Sequence, residues 1–134
     1  MTKRSRKAAP SSATVLVVDP DHGVRVLVRR VLESRDYRVL DAGDPAAAEQ
    51  IARVYVGPIH LLLVELDLAG ASGPALAERL RAFRPEPRVV FMSADARKDL
   101  VRKRQLGLGT TFIGKPFDGD ALATVLHTAL AARR

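Results

Sequence analysis

From Thr14 onward the chain alternates short apolar runs with longer stretches whose apolar residues recur at helical spacing. The first run, "TVLVVD", reads as a buried strand. Behind it, "VRVLVRRVLESR" sets Val24, Leu27, Val28, Val31 and Leu32 on one helical stripe and leaves Arg25, Arg29 and Arg30 off it. "YRVLDAG" is a second strand, and "DPAAAEQIARVYV" a second helix with Asp44 as N-cap and Pro45 at its first position, ended by Gly57 and Pro58. "IHLLLVEL" is the third strand; the helix "PALAERLRAFR" starts at Gly73-Pro74 after Ser72 and stops before Pro85 and Pro87. The strand "RVVFMSA", the basic helix "DARKDLVRKRQLG", the strand "TTFIGK" and the amphipathic helix "DGDALATVLHTALAARR" complete the pattern.

Strands that read as continuous apolar runs, each followed by a helix, imply a parallel sheet covered on both faces. With right-handed crossovers the fold class is α/β, a (βα)5 doubly wound sandwich. In such a sheet a ligand site lies beyond the carboxyl ends of the strands. The residues at those ends are Asp19 and Asp21 after strand one, Glu65 and Asp67 after strand three, Ser93 at strand four and Lys115-Pro116 after strand five. Acids, a hydroxyl and an ammonium in one crevice suit a divalent cation and a phosphoryl group, with hard oxygens for the metal and donors for the phosphoryl oxygens. The plainer account of Glu65 is a solvated acid at a strand end, and the converging partners weigh against it.

"VLVVD", "LLLVE" followed by "GASG", "FMSA" and "FIGKPF", in this order and spacing, resemble the receiver domain of two-component response regulators from Thr14 to Ala132. The resemblance implies a flavodoxin-like five-stranded sheet in the order 2-1-3-4-5. It also implies an Asp at the end of strand three that takes phosphate from a histidine kinase. Carried onto this chain, the phosphoacceptor position is Glu65, Ser93 is the hydroxyl that follows the phosphoryl group, Lys115 its counter-ion and Phe112 the aromatic that moves with it. Metal ligands would come from Asp19, Asp21, Glu65 and Asp67.

Two crevice positions depart from the family's pattern. The family has a Gly eight residues beyond the acceptor: Gly73 fits from Glu65, whereas from Asp67 that place is Ala75, so the acceptor position carries a glutamate. The family's Pro four residues after the acceptor is Ala69 here. The second acid after strand one, the direct metal ligand, falls on Pro20, with Asp21 one residue too late. Mg²⁺ demands near-octahedral oxygen geometry with carboxylate help, so weak or absent Mg²⁺ binding is expected, and no other cofactor. Glutamate is about 1.5 Å longer than aspartate and reaches toward Lys115, where a phosphoryl oxygen would lie. A phosphoryl group carries about −1.5 to −2 and three acceptor oxygens, so the carboxylate copies only part of that signal.

The expected function is a stand-alone, degenerate receiver in a phosphorelay, a protein-interaction module and not an enzyme. Its expected partner is a histidine kinase or a downstream effector, with a second copy of the chain as a further candidate. Two alternatives stand beside it. One is a receiver that still accepts phosphate on Asp67 or Glu65. The other is a haloacid-dehalogenase-like phosphatase, because "VLVVDPDHG" also resembles that D-x-D motif, with Asp19 as nucleophile and Asp21 as acid/base; Gly23 sits where that motif has Thr or Val.

Composition narrows the picture. At 134 residues and 47 % hydrophobic content the chain fits one domain, assigned to residues 14–134. Absence of cysteine excludes disulfides and thiolate metal sites, and no apolar run has the length of a membrane span or a signal-peptide core. The expected location is the cytoplasm. Lys3, Arg4, Arg6 and Lys7 supply more than half of the net charge of +7, so residues 1–13 read as a basic disordered tail. At 4 % aromatics there is no base-stacking platform, and nucleic acid is not an expected partner. Arg97, Lys98, Arg102, Lys103 and Arg104 form a solvated helix face or a partner surface. His22, His60 and His127 lack metal-ligand spacing and read as structural or surface residues.

Overall fold

The computed structural model describes residues 13–68, 71–95 and 110–131. In chain order the first elements are β1 (Thr14–Val18), α1 (His22–Glu33), β2 (Arg38–Ala42), α2 (Pro45–Val54) and β3 (Leu61–Glu65). There follow β4 (Asp67–Leu68), β5 (Ala71–Ser72), α3 (Gly73–Phe83), β6 (Arg88–Ser93), β7 (Thr111–Gly114) and α4 (Gly119–Ala131). β4 and β5 pair with each other as a small antiparallel hairpin. The other five strands form one parallel sheet in the order β2-β1-β3-β6-β7, which is 2-1-3-4-5 once the hairpin is set aside.

The apolar runs are continuous because both faces of the sheet are covered, and the period of two divides each run between two cores. Val15 and Val17 of β1, Leu61 and Leu63 of β3, Val90 and Met92 of β6 and Ile113 of β7 face Val28 and Leu32 of α1 and Leu122 and Leu126 of α4. The alternate residues Leu16, Val18, Leu62, Val64 and Phe91 face Ala48 and Ala52 of α2 and Leu76, Ala77 and Leu80 of α3.

The helices start where their caps lie. Asp44 accepts from the Ala47 N–H with Pro45 in the first turn, and Ser72 accepts from the Ala75 N–H ahead of Pro74. α1 opens earlier than its apolar stripe indicates, because Asp21 accepts from the N–H groups of Gly23 and Val24 and draws His22 and Gly23 into the first turn. Leu27 is 40 % exposed and lies at the edge of the buried stripe, which Val28 and Leu32 carry. α2 stops at Val54, ahead of Gly57, whose φ of +124° makes the turn a position for glycine. The Arg84 guanidinium closes that helix end by donating to the carbonyls of Ala52 (2.7 Å), Gly57 (2.6 Å) and Tyr55. His60 is structural: its Nδ1 accepts from the Thr14 N–H at 2.9 Å.

Ala13 is buried and its carbonyl accepts the Arg38 N–H, so it packs with the domain rather than with the tail. Residues 1–12, Ala69, the basic stretch that includes Arg97, Lys98, Arg102, Lys103 and Arg104, and Arg133-Arg134 lie outside the described residues.

Candidate functional site

The alternation that builds the two cores also aims the site. Asp19 continues the parity of Val15 and Val17, Glu65 that of Leu61 and Leu63, and Lys115 that of Ile113, so all three side chains are directed to the α1/α4 side. Val18 lies opposite Val64 in the parallel register, and one further residue sets Asp19 beside Glu65 at the carboxyl ends of β1 and β3. Lys115 leaves the edge strand β7 and reaches past β6 to both carboxylates. Its Nζ donates to Asp19 Oδ2 at 2.6 Å and to Glu65 Oε1.

The remaining carboxylate oxygens are also engaged. Asp19 Oδ1 accepts the Asp21 N–H at 2.8 Å, and Glu65 Oε2 accepts the Asp67 N–H at 2.9 Å. The extra methylene of glutamate lets one oxygen meet Lys115 while the other turns back onto the entry to the β4–β5 hairpin. Asp19 and Glu65 are buried, with side chains 2 % and 10 % exposed, and the lysine that joins them is 17 % exposed. Burial by itself would lower the Lys115 pKa. The hydrogen bonds and charges of Asp19 and Glu65 outweigh it and hold the ammonium above its ordinary 10.5.

Gly73 closes the crevice from the α3 side. Its N–H donates to the Leu66 carbonyl at 2.8 Å, and a Cβ there would stand 2.3 Å from the Glu65 carbonyl oxygen, so only glycine allows α3 to start this close to β3.

Asp19, Glu65 and Lys115 are therefore brought together, and the other predicted site residues are placed differently. Asp21 is exposed and spends its carboxylate on the α1 cap, with Oδ1 at 2.8 Å from the Gly23 nitrogen. Asp67 reaches Glu65 through its backbone and its side chain is exposed. Ser93 is buried, but its parity is opposite to that of Lys115; its Oγ accepts the Asp95 N–H at 3.1 Å, while its carbonyl accepts the Lys115 N–H at 2.7 Å. Phe112 is half-buried on the α2/α3 side, its ring 5.8 Å from that of Phe91. Among the described residues no three His, Asp or Glu side chains converge as a metal-ligand group.

Arg25 is a crevice residue that the sequence pattern conceals. It reads as an outward arginine beside the apolar stripe of α1, yet its Nη1 donates to the Asp19 carbonyl at 2.6 Å. The available signal is its place in the first turn of α1, directly behind the end of β1.

Comparison with known proteins agrees with this fold. Residues 15–127 match the sequence profile of the response regulator receiver domain. The chain is 30 % identical over 119 residues to sensor kinase CckA of Brucella abortus (strain 2308), a match that takes in 89 % of this chain and 13 % of the kinase. It is 28 % identical over 109 residues to sporulation initiation phosphotransferase F of Bacillus subtilis (strain 168), covering 81 % of this chain and 86 % of that protein. Among solved structures, the receiver domain of the hybrid histidine kinase CckA superimposes with a TM-score of 0.73 at 30 % identity, over 88 % of this chain and 99 % of that one. The Vibrio cholerae chemotaxis protein CheY4, at 19 % identity, shares the fold with a TM-score of 0.76 over 88 % of this chain and 98 % of its own.

Proposed function

Because the chain belongs to the response regulator receiver domain family of two-component signalling, we propose that it is an atypical receiver that signals by binding a protein partner, without accepting phosphate and without being an enzyme. The observation that carries this reading is the Asp19–Lys115–Glu65 bridge, in which a glutamate at the acceptor position has both oxygens engaged. An acceptor must present a carboxylate oxygen to the incoming phosphorus, and phosphoryl transfer needs positioned cations to offset the charge that gathers there. Here Glu65 Oε1 faces Lys115 and Oε2 faces the Asp67 N–H.

A Mg²⁺ ion, which the family's chemistry implies, does not fit this residue set. Pro20 brings no carboxylate, and Asp21 is engaged at the α1 cap. The same commitment of Asp21 weighs against the phosphatase alternative, which needs that carboxylate as acid/base. The partner belongs to the two-component class, a histidine kinase or a downstream effector.

The test is intact mass after incubation with acetyl phosphate and Mg²⁺. Wild type is expected to gain no phosphoryl mass, and neither is Pro20→Asp or Glu65→Asp alone, while the double variant gains it. The changes cooperate because a nucleophile and the metal that offsets phosphoryl charge act on one transition state. A wild type that is readily modified would overturn the proposal, and peptide mapping would then decide between Glu65 and Asp67.

A further inference from the structure

We infer that the Lys115 ammonium is the resident cation of the crevice: it bridges the two buried carboxylates, so the chain closes its site without metal and keeps Mg²⁺ out. The inference rests on the reading of the chain as a non-phosphorylated receiver and adds a reason for it beyond the missing acid at Pro20.

The carboxylate pair already holds a cation. Lys115 Nζ already donates to one oxygen of each, at 2.6 Å for Asp19, while the other two oxygens accept the N–H groups of Asp21 and Asp67. A divalent ion at the pair would either displace the ammonium or lie beside it, and in a mostly buried crevice the like charges repel. Arg25 adds a second positive group within hydrogen-bond reach of the Asp19 carbonyl, which further disfavours an incoming cation.

This arrangement has a mechanical consequence. Lys115 follows edge strand β7, while Asp19 and Glu65 end β1 and β3, so the bridge ties the outer strand to the centre of the sheet across β6. A closure made by a side chain does not respond to the Mg²⁺ concentration, so the placement of β7 is independent of it.

Titration calorimetry with MnCl₂ and with MgCl₂, and melting with and without each salt, test the inference on the whole chain. Wild type is expected to give no binding heat and no rise in melting temperature. Lys115→Met, which leaves two carboxylates without their cation, is expected to melt lower, to bind Mn²⁺ and to recover several degrees when it does. Pro20→Asp, which restores the acid but keeps Lys115, is expected to bind Mn²⁺ about tenfold or more weakly than Pro20→Asp combined with Lys115→Met.

Stoichiometric Mn²⁺ binding by wild type overturns the inference, and so does a folded Lys115→Met that binds none. Should the lysine variants fail to fold, the ¹⁵Nζ resonance of Lys115 in wild type decides: unmoved by Mg²⁺ it supports the inference, displaced by Mg²⁺ it overturns it. Wild type that binds Mn²⁺ yet gains no phosphoryl mass would sink only this inference. Wild type that is phosphorylated would sink the function from which it starts.

Discussion

Glutamate at position 65 differs from aspartate by one methylene, about 1.5 Å of reach. In this crevice that reach joins Lys115 to the Asp67 backbone. The lysine at the centre of the contact sets an alkaline limit on stability. Its folded-state pKa lies above the ordinary 10.5, so its bridge contributes in full below that value and is lost as pH rises through the folded-state value. Tyr37 acts in the same direction. Burial holds its phenol above the ordinary 10.0, so at alkaline pH the folded state keeps a proton the unfolded state has released, and stability falls as pH passes 10. Chemical-denaturation midpoints are therefore expected to hold steady with respect to these two groups between about pH 8 and pH 10 and to fall beyond. Tyr37→Phe removes the part that begins near 10, and Lys115→Met the part that begins near 10.5. A wild-type midpoint that climbs through this range would contradict both assignments.

At the scale of elements, a single carboxylate can have a local or a site role, and Asp21 is the case that separates them. As the N-cap of α1 it satisfies two N–H donors of the first turn, and asparagine caps as well as aspartate does. Asp21→Asn is expected to melt within a degree or two of wild type, and Asp21→Ala to lose about 1 kcal/mol, roughly 3 °C. If Asp21 instead served the crevice with its charge, the asparagine variant would fall as far as the alanine one. The caps at Asp44 and Ser72 were legible in the sequence because each is followed by Pro in the first turn ahead of a helical pattern. The β4–β5 hairpin was not. Its strands are two residues each, too short for periodicity, and Glu65 fastens its entry through a contact at the end of β3.

Across the whole molecule, Lys115 joins parts of the chain 96 and 50 residues away. Removing one partner of a buried ion pair leaves the other charge uncompensated, at a cost of about 3 kcal/mol. Lys115→Met and Asp19→Asn are each expected to be destabilising, and the double variant to cost less than the two together, by about 1–3 kcal/mol in a double-mutant cycle. Amide exchange in β7 should quicken with Lys115→Met, since its strand pairing would then rest on β6 alone. Strict additivity would mean that the ion pair carries no coupling between the strands.

The sequence by itself determined the parallel sheet and the order of its five strands, and it set Asp19, Asp21, Glu65, Asp67, Ser93 and Lys115 at their carboxyl ends. Apolar runs covered on both faces and helix-capping residues are written locally, and strand ends in such a sheet meet at one edge. The same reading takes Glu65 and Pro20 as departures from the family's pattern, and the proposed function rests on them. Only the tertiary structure decided which of the gathered groups touch. Side-chain parity carried across strands turned Lys115 to the two acids and Ser93 away. The cap of α1 claimed Asp21, and the packing of α1 over the end of β1 brought Arg25 in. Those outcomes depend on register and helix placement between segments far apart in the chain, which no local pattern encodes.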